Sequence, residues 1–301
     1  MNRVPTRARK KSNLQILRAR HLSRLGWLVH GFSTRVGGFS RAYGKSDLNL
    51  GFTKDDARAT VERNRAVFLG EIGAFDRQKR RLSNRTNSFW PLITLRQIHS
   101  DIIHFVDSAS DEPLIGDGMI TATPGLLLAV QAADCLPVVL VDVKRRAVGV
   151  FHAGWRGTVK RIVEKGVGEM FRRFGSRPRD LKAAIGPGIQ GCCYEVGEAV
   201  RTKFESQFEY AAKLFREVKE SNPVREKYPL LFLTARAPGE PWQDCTVVPP
   251  SRSIACSAYG PISSRSTLTS ASRHFLAIRA RLPMFGAGAL SLMASFLPVR
   301  R

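Results

Sequence analysis

Cysteine is scarce and scattered, with five residues in a chain of 301, at positions 135, 192, 193, 245 and 256. That set cannot build a disulfide framework, which points to a reducing compartment. No apolar run approaches the ~20 residues a bilayer-spanning helix needs. Residues 1–24 also lack the apolar stretch of a signal peptide, so a cytoplasmic protein with no membrane partner is expected. Histidine numbers six, too few for a multicopper centre. No GxGxxG or other established phosphate-loop pattern occurs. Residues 245–301 contain no Lys, Asp or Glu, only seven Arg and ten Ser among apolar patches without period.

What is present is a globular composition, 43% hydrophobic and 24% charged, long enough for one large core or two ordinary ones. The net charge of +23 is uneven, because residues 1–24 hold eight Lys/Arg and no acid. With the two basic ends set aside, residues 25–244 carry +8. A charged end of this kind reads as a solvated arm rather than a nucleic-acid site. The organisation expected is therefore a basic flexible arm over 1–24, a catalytic domain over 25–239, and an atypical Ser/Arg-rich segment over 240–301.

Within the domain, Trp27–Phe32, Leu92–His99, Asp101–Val106 and Leu181–Ile185 read as strands. Leu126–Ala133, Pro137–Asp142 and Ala147–His152 are Val/Leu-rich runs of the kind buried on both faces of a sheet. Asp55-Asp56 reads as the cap of a helix with Ala57, Val61, Val67, Phe68 and Ile72 on its apolar face. Val159, Ile162, Val163, Val167, Met170, Phe171 and Phe174 recur at spacings of three and four ahead of Gly175, which predicts one long amphipathic helix. A further helix is marked by Val196, Ala199, Val200, Phe204 and Phe208, with Glu195 near its start. Strands and helices interleave, so the class is mixed α/β.

Three soft or borderline donors stand where apolar runs end: His99, Cys135 and His152. One thiolate and two imidazoles suit Zn²⁺ with a fourth position open, although separations of 36 and 17 residues match no local zinc signature. An ion there lowers the pKa of bound water to about 7 or acts as a Lewis acid. Asp134, beside Cys135, is either an acid/base group or a strand-end cap. Ser33-Thr-Arg-Val-Gly-Gly38 combines hydroxyls, Arg35 and two glycines, a composition able to hold phosphate or simply to turn. Arg156, ahead of the long helix, is a second anion candidate. Ile185-Gly-Pro-Gly-Ile-Gln-Gly-Cys-Cys-Tyr-Glu195 is a glycine-rich junction in which Cys192 and Cys193 are a poor pair for one metal.

Taken in order, His30-Gly-Phe-Ser-Thr-Arg-Val-Gly-Gly38, Leu48-Asn-Leu-Gly51, Gln97-Ile-His99, Asp117-Gly-Met119, Ala133-Asp-Cys-Leu-Pro137, His152-Ala-Gly-Trp-Arg-Gly157, Ile185-Gly-Pro-Gly188 and Cys193-Tyr-Glu-Val-Gly197 resemble the YfiH/laccase-domain family, FAMIN-like proteins formerly labelled multicopper polyphenol oxidases. The resemblance covers roughly residues 27–238. It implies a compact sandwich of mixed sheets flanked by helices, with metal ligands at His99, Cys135 and His152. It also implies phosphorolysis of adenosine, inosine, guanosine or methylthioadenosine, together with hydrolytic deamination of adenosine. Purine nucleosides and inorganic phosphate are then the partners, and a monomer or weak oligomer is expected. On this reading Arg35 holds phosphate, while His30 and Asn49 position ribose or phosphate. Copper-dependent phenol oxidation, a basic nucleic-acid binder and an inactive truncated member of the family are the competing readings. From about residue 240 the Leu-Asp-Leu, Ala-Asn-Arg, Phe-Phe-Ser-x-Arg and Gly-Arg-Met segments usual in the family are not recognisable. A frameshifted, disordered C-terminal segment, and a domain incomplete at that edge, are therefore expected.

Overall fold

The computed structural model describes residues 14–42, 44–76, 88–109, 112–189, 194–218, 230–233, 245–247 and 290–296. The first elements in chain order are β1 (Ile16–Leu17), β2 (Leu28–Ser33), β3 (Val36–Ser40), α1 (Arg58–Ile72), β4 (Leu92–Arg96), β5 (Ile103–Phe105), β6 (Leu114–Ile115) and β7 (Gly118–Thr121). Next come β8 (Leu127–Gln131), β9 (Leu136–Asp142), β10 (Ala147–Ala153), α2 (Trp155–Val159), α3 (Ile162–Phe174), β11 (Leu181–Ile185), β12 (Glu195–Val196) and α4 (Glu198–Glu205). The last are β13 (Phe215–Val218), β14 (Leu230–Leu233), β15 (Cys245–Val247) and β16 (Leu290–Phe296).

Two mixed six-stranded sheets dominate, ordered β1-β2-β16-β8-β4-β6 and β15-β11-β9-β10-β7-β5. The alternation of side chains along each strand explains their stacking. On β8, Leu128 and Val130 join the cluster that also holds Val139, Val141, Val148 and Val150 of the other sheet. Leu127 and Ala129, on the opposite face, pack with Phe68, Leu69 and Ile72 of α1. On β9, Val138 and Leu140 face outward to Phe151, Ile162 and Met170, so α3 covers the second sheet. The layers run helix, sheet, sheet, helix, and the central runs are apolar because both of their faces are covered. This is the mixed α/β sandwich expected from the sequence.

Several local expectations are corrected. Asp56 does not cap α1, whose N-cap is Ala57 without a side-chain cap. Its Oδ2 instead accepts hydrogen bonds from Ser40 Oγ at 2.5 Å and Asn49 Nδ2 at 2.8 Å. The long helix is two, broken where Arg161 adopts a left-handed conformation with φ 61°, although Gly175 ends the second one as its residue type predicts. Glu195 belongs to β12, and the helix begins at Glu198.

Residues 14–24 are not a solvated arm. β1 pairs antiparallel with β2, and Ala19 and Leu22 are fully buried in the central cluster. Apolar residues among the arginines drive that packing, and net charge hides them. Much of 240–301 lies outside the described residues, but two runs in it are strands. β15 pairs parallel with β11, and β16 inserts antiparallel between β2 and β8. Its seven residues carry no charge, and the two flanking strands supply the backbone partners that local periodicity could not reveal.

His30 shows how tightly the N-terminal segment docks. Its ring faces the layer between the sheets, 2% exposed, and its Nε2 accepts a hydrogen bond from the Ala19 amide at 3.1 Å. Burial first, then the nearby positive charge of Arg18, pushes its pKa down to about 4. The unfolded chain therefore binds a proton at this site that the native chain refuses, so stability rises with pH across this window. Stability present above about pH 6.5 is lost as pH falls toward 4, on the order of 3 kcal/mol for this group. Melting temperature measured between pH 7 and 4 is expected to fall less steeply in His30→Gln than in the parent chain; equal slopes would contradict this account.

Candidate metal centre

Sheet register assembles the cluster. In the antiparallel β9–β10 pair, His152 lies opposite Pro137 and Ala153 opposite Leu136, so Cys135, one residue before β9, falls beside the end of β10. His99 arrives from the other sheet, on the loop after β4. Gln97 clamps that loop, donating to the Gln131 carbonyl at 2.7 Å and accepting from the Gln131 amide at 2.6 Å. The ligand atoms of His99, Cys135 and His152 all lie within 4.8 Å of one another. The two imidazoles meet edge-on, with centroids 4.9 Å apart. His99 is exposed, Cys135 half-buried and His152 buried, so the cluster opens to solvent on one side.

Gly154 is what lets the three approach. A Cβ there would sit 2.9 Å from Cys135 Sγ and 3.2 Å from His99 Cδ2. Gly157 is similarly tight, with a Cβ placed 3.1 Å from the Ser100 carbonyl oxygen. These two glycines give the His-Ala-Gly-Trp-Arg-Gly segment its physical meaning: close packing of the His99 loop against the turn into α2.

Asp117, buried completely, underlies the cluster. His152 donates from Nδ1 to Asp117 Oδ1 at 2.8 Å, which leaves Nε2 for Cys135. Burial would raise the Asp117 pKa, but hydrogen bonds from His152, Ser100 and Ile98 outweigh it and hold the carboxyl well below the usual range. Burial likewise opposes protonation of His152, but the Asp117 and Cys135 contacts win and push its pKa up to about 9. An ion entering the cluster displaces that proton. His99 is lowered, by desolvation first and then by the His152 and Arg156 charges.

The donor set fits a borderline metal: one thiol and two imidazoles favour Zn²⁺ or copper over Mg²⁺ or Ca²⁺, which take oxygen ligands. The sequence candidates around it divide. Asp134 adjoins Cys135; the residue is exposed, yet desolvation of its carboxyl raises its pKa. Arg156 is exposed, stacks on Trp155 at 4.4 Å, and lies close enough to act on His99 electrostatically. Its helix is only five residues long, so the guanidinium rather than a helix terminus is the anion-attracting feature.

The other three candidates each have partners within the fold. Arg35, half-exposed, pairs with Asp47 at 3.4 Å. Asn49 is buried, donating to Asp56 and accepting from the Gly51 amide at 3.1 Å. Its carbonyl takes a hydrogen bond from Asn64 at 2.8 Å, so Asn49 closes a turn against α1. His30 holds the N-terminal segment, as described above. Buried polar groups seek partners wherever the fold supplies them, and here the fold supplies structural ones.

Two site residues were not singled out from sequence. Asp117 is one. Tyr194 is the other: desolvation, then the neighbouring Cys135 and Asp134, push its pKa up to about 12, so the phenol keeps its proton beside the cleft. Both lie in segments that carried the family resemblance, Asp117-Gly-Met119 and Cys193-Tyr-Glu-Val-Gly197, and that was the available signal. Cys192 and Cys193 lie outside the described residues.

Residues 29–235 match the family described as multi-copper polyphenol oxidoreductase laccase. The chain belongs to that family. Within this laccase-domain family it is similar to a protein of Deinococcus radiodurans named purine nucleoside phosphorylase, 39% identical over 194 residues, covering 64% of this chain and 68% of the relative. A Clostridium acetobutylicum protein of the same name is 42% identical over 111 residues, covering 37% of this chain and 47% of that one. The match thus spans about two thirds of the first relative and about half of the second. Among solved structures, the hypothetical protein YfiH of Bacillus licheniformis is 26% identical with a TM-score of 0.62, covering 89% of this chain and 91% of that one. The two proteins share a fold. Among the described residues, no helix is long and apolar enough to cross a membrane.

Proposed function

We propose that this protein is a zinc-dependent purine nucleoside phosphorylase of the cytoplasm that also deaminates adenosine. The observation that carries the reading is the convergence of His99, Cys135 and His152 on one open cleft, in a chain whose relatives are named for phosphorolysis. A divalent ion held by these three side chains supplies Lewis-acid charge in the cleft. The chain's own residues do the rest. Arg156 holds inorganic phosphate, whose oxygen forms the new bond to C1′ while the bond from C1′ to the purine nitrogen breaks. The purine leaves with the electron pair and takes up a proton, for which Asp134, adjoining Cys135, is the donor. Tyr194 donates a hydrogen bond to the bound nucleoside. In deamination, water adds at C6 of adenosine and ammonia leaves, with Asp134 moving the proton.

The family's laccase description motivates a second reading, copper-dependent phenol oxidation. Six histidines in the entire chain and one three-ligand cluster among the described residues weigh against a multicopper centre. Chromatography of adenosine incubated with and without phosphate separates the two. Adenine and ribose 1-phosphate are expected only with phosphate, and inosine without it. Arg156→Ala is expected to raise the KM for phosphate tenfold or more, about the worth of one charge-assisted contact, and Arg35→Ala to change it less. Phenol oxidation without base release would overturn the proposal.

A further inference from the structure

Resting on the reading of His99, Cys135 and His152 as metal ligands, we propose that Asp117 is the positioning residue of that centre. A single buried carboxylate fixes two ligands from two different sheets into one geometry before any ion arrives.

Three successive backbone amides converge on it: Ile98 at 3.2 Å, His99 at 3.0 Å and Ser100 at 2.6 Å. Such a run of N–H groups forms a concave nest that an anion stabilises. Ser100 Oγ adds a further donor at 2.7 Å and itself accepts from the Ile102 amide at 3.2 Å. The nest explains a feature of His99 that is otherwise costly, its left-handed backbone with φ 58°, a region that side-chain-bearing residues avoid. With the carboxylate removed, three amides lose their acceptor and His99 loses the reason to stay in that conformation.

The division of labour between the two oxygens is the decisive detail. Oδ2 takes Ile98 and both Ser100 donors, while Oδ1 takes the His99 amide and His152 Nδ1. One oxygen thus binds the backbone of one ligand and the ring of the other, so the two cannot shift independently. Register makes this possible: β7 begins at Gly118, which pairs with Phe151 of β10, next to His152. An asparagine has one acceptor oxygen and turns an NH₂ toward groups that are themselves donors. The carboxylate is the only common side chain of this length that satisfies all five.

The test is competition for Zn²⁺ against a chromophoric chelator, using the full chain, Asp117→Asn and Ser100→Ala, with melting of each ion-free protein as a check of folding. Asp117→Asn is expected to weaken Zn²⁺ binding 10- to 100-fold, the range typical for groups that orient metal ligands, and Ser100→Ala several-fold. Proton NMR of the ion-free chain is expected to show a downfield imidazole Nδ1–H from His152 that Asp117→Asn lacks. A folded Asp117→Asn that binds Zn²⁺ as tightly as the parent overturns the proposal. Should that variant not fold, unchanged affinity in Ser100→Ala overturns it instead. A parent chain that binds no Zn²⁺ refutes the metal-centre reading, and persistence of the downfield resonance in Asp117→Asn then decides against Asp117 separately.

Discussion

Cys135→Ala is expected to abolish stoichiometric Zn²⁺ binding and to lower adenosine phosphorolysis by roughly 10³-fold. The thiol is the one soft donor of the three, and two imidazoles alone make a weak Zn²⁺ site. A bound metal stabilises transition-state charge by several kcal/mol, and each 1.36 kcal/mol is about a factor of ten in rate. The fold is expected to survive. Cys135 lies outside the β9–β10 pairing and is half-buried, with its thiol beside Gly154 and the two imidazoles rather than in an apolar cluster. Metal content, initial rates and a thermal melt on the same preparation check all three statements. A metal-free Cys135→Ala protein with parental activity would remove the ion from the proposed chemistry.

Ending the chain at Ala289 is expected to cost the cooperative fold altogether. The deletion removes β16, an interior strand whose residues pair with β2 on one side, Met293 opposite Gly31 and Phe296 opposite Leu28. On the other side they pair with β8, Leu290 opposite Gln131 and Ala294 opposite Leu128. Without it, β2 and β8 present facing rows of unpaired amides and carbonyls in a sheet covered by α1 on one face and by the second sheet on the other. Such groups carry a desolvation cost. At a net of about 0.5–1.5 kcal/mol per backbone hydrogen bond, a strand bonded on both sides accounts for several kcal/mol. Whole domains are stable by only about 5–15 kcal/mol. Circular dichroism melting and limited proteolysis of the shortened chain test this. A sharp melt within a few degrees of the parent would show that β16 is dispensable.

This second expectation bears on how the C-terminal segment reads. Its composition, with one charge sign from residue 245 onward and no helical or strand period, describes 240–301 as atypical, and that description of the composition stands. Composition does not register that a seven-residue run can find two waiting strands. Strand pairing needs only backbone groups and a modest match of faces, so it is the element least visible in residue types. The arm expected over 1–24 fails over its described residues, 14–24, for a related reason: cationic residues dominate the count, while Ala19 and Leu22 do the packing; residues 1–13 lie outside the described residues.

Elsewhere the residues were legible. Leu181–Ile185 is a strand with the bounds its sequence predicts, and Pro137–Asp142 and Ala147–His152 are strands extended by a residue. Their Val/Leu content predicted burial on both faces, and the helix, sheet, sheet, helix layering supplies it. The break at Arg161 was not legible, because hydrophobic spacing of three and four continues through it while the backbone turns left-handed for one residue.

What the sequence determined by itself is therefore the mixed α/β class, the buried central strands, the amphipathic cover and the residue types of the three candidate ligands. Each of these follows from residue type and short-range spacing, since burial and ligand softness are properties of single side chains and their near neighbours. Tertiary structure alone decided which polar residues stand beside the three donors. Asp117 and Tyr194 do, His30 and Asn49 hydrogen-bond within the fold, and β16 fills the centre of a sheet. Those outcomes depend on cross-strand register between segments tens to hundreds of residues apart, and a hydrogen-bonding side chain carries no local mark of the partner that register will bring to it.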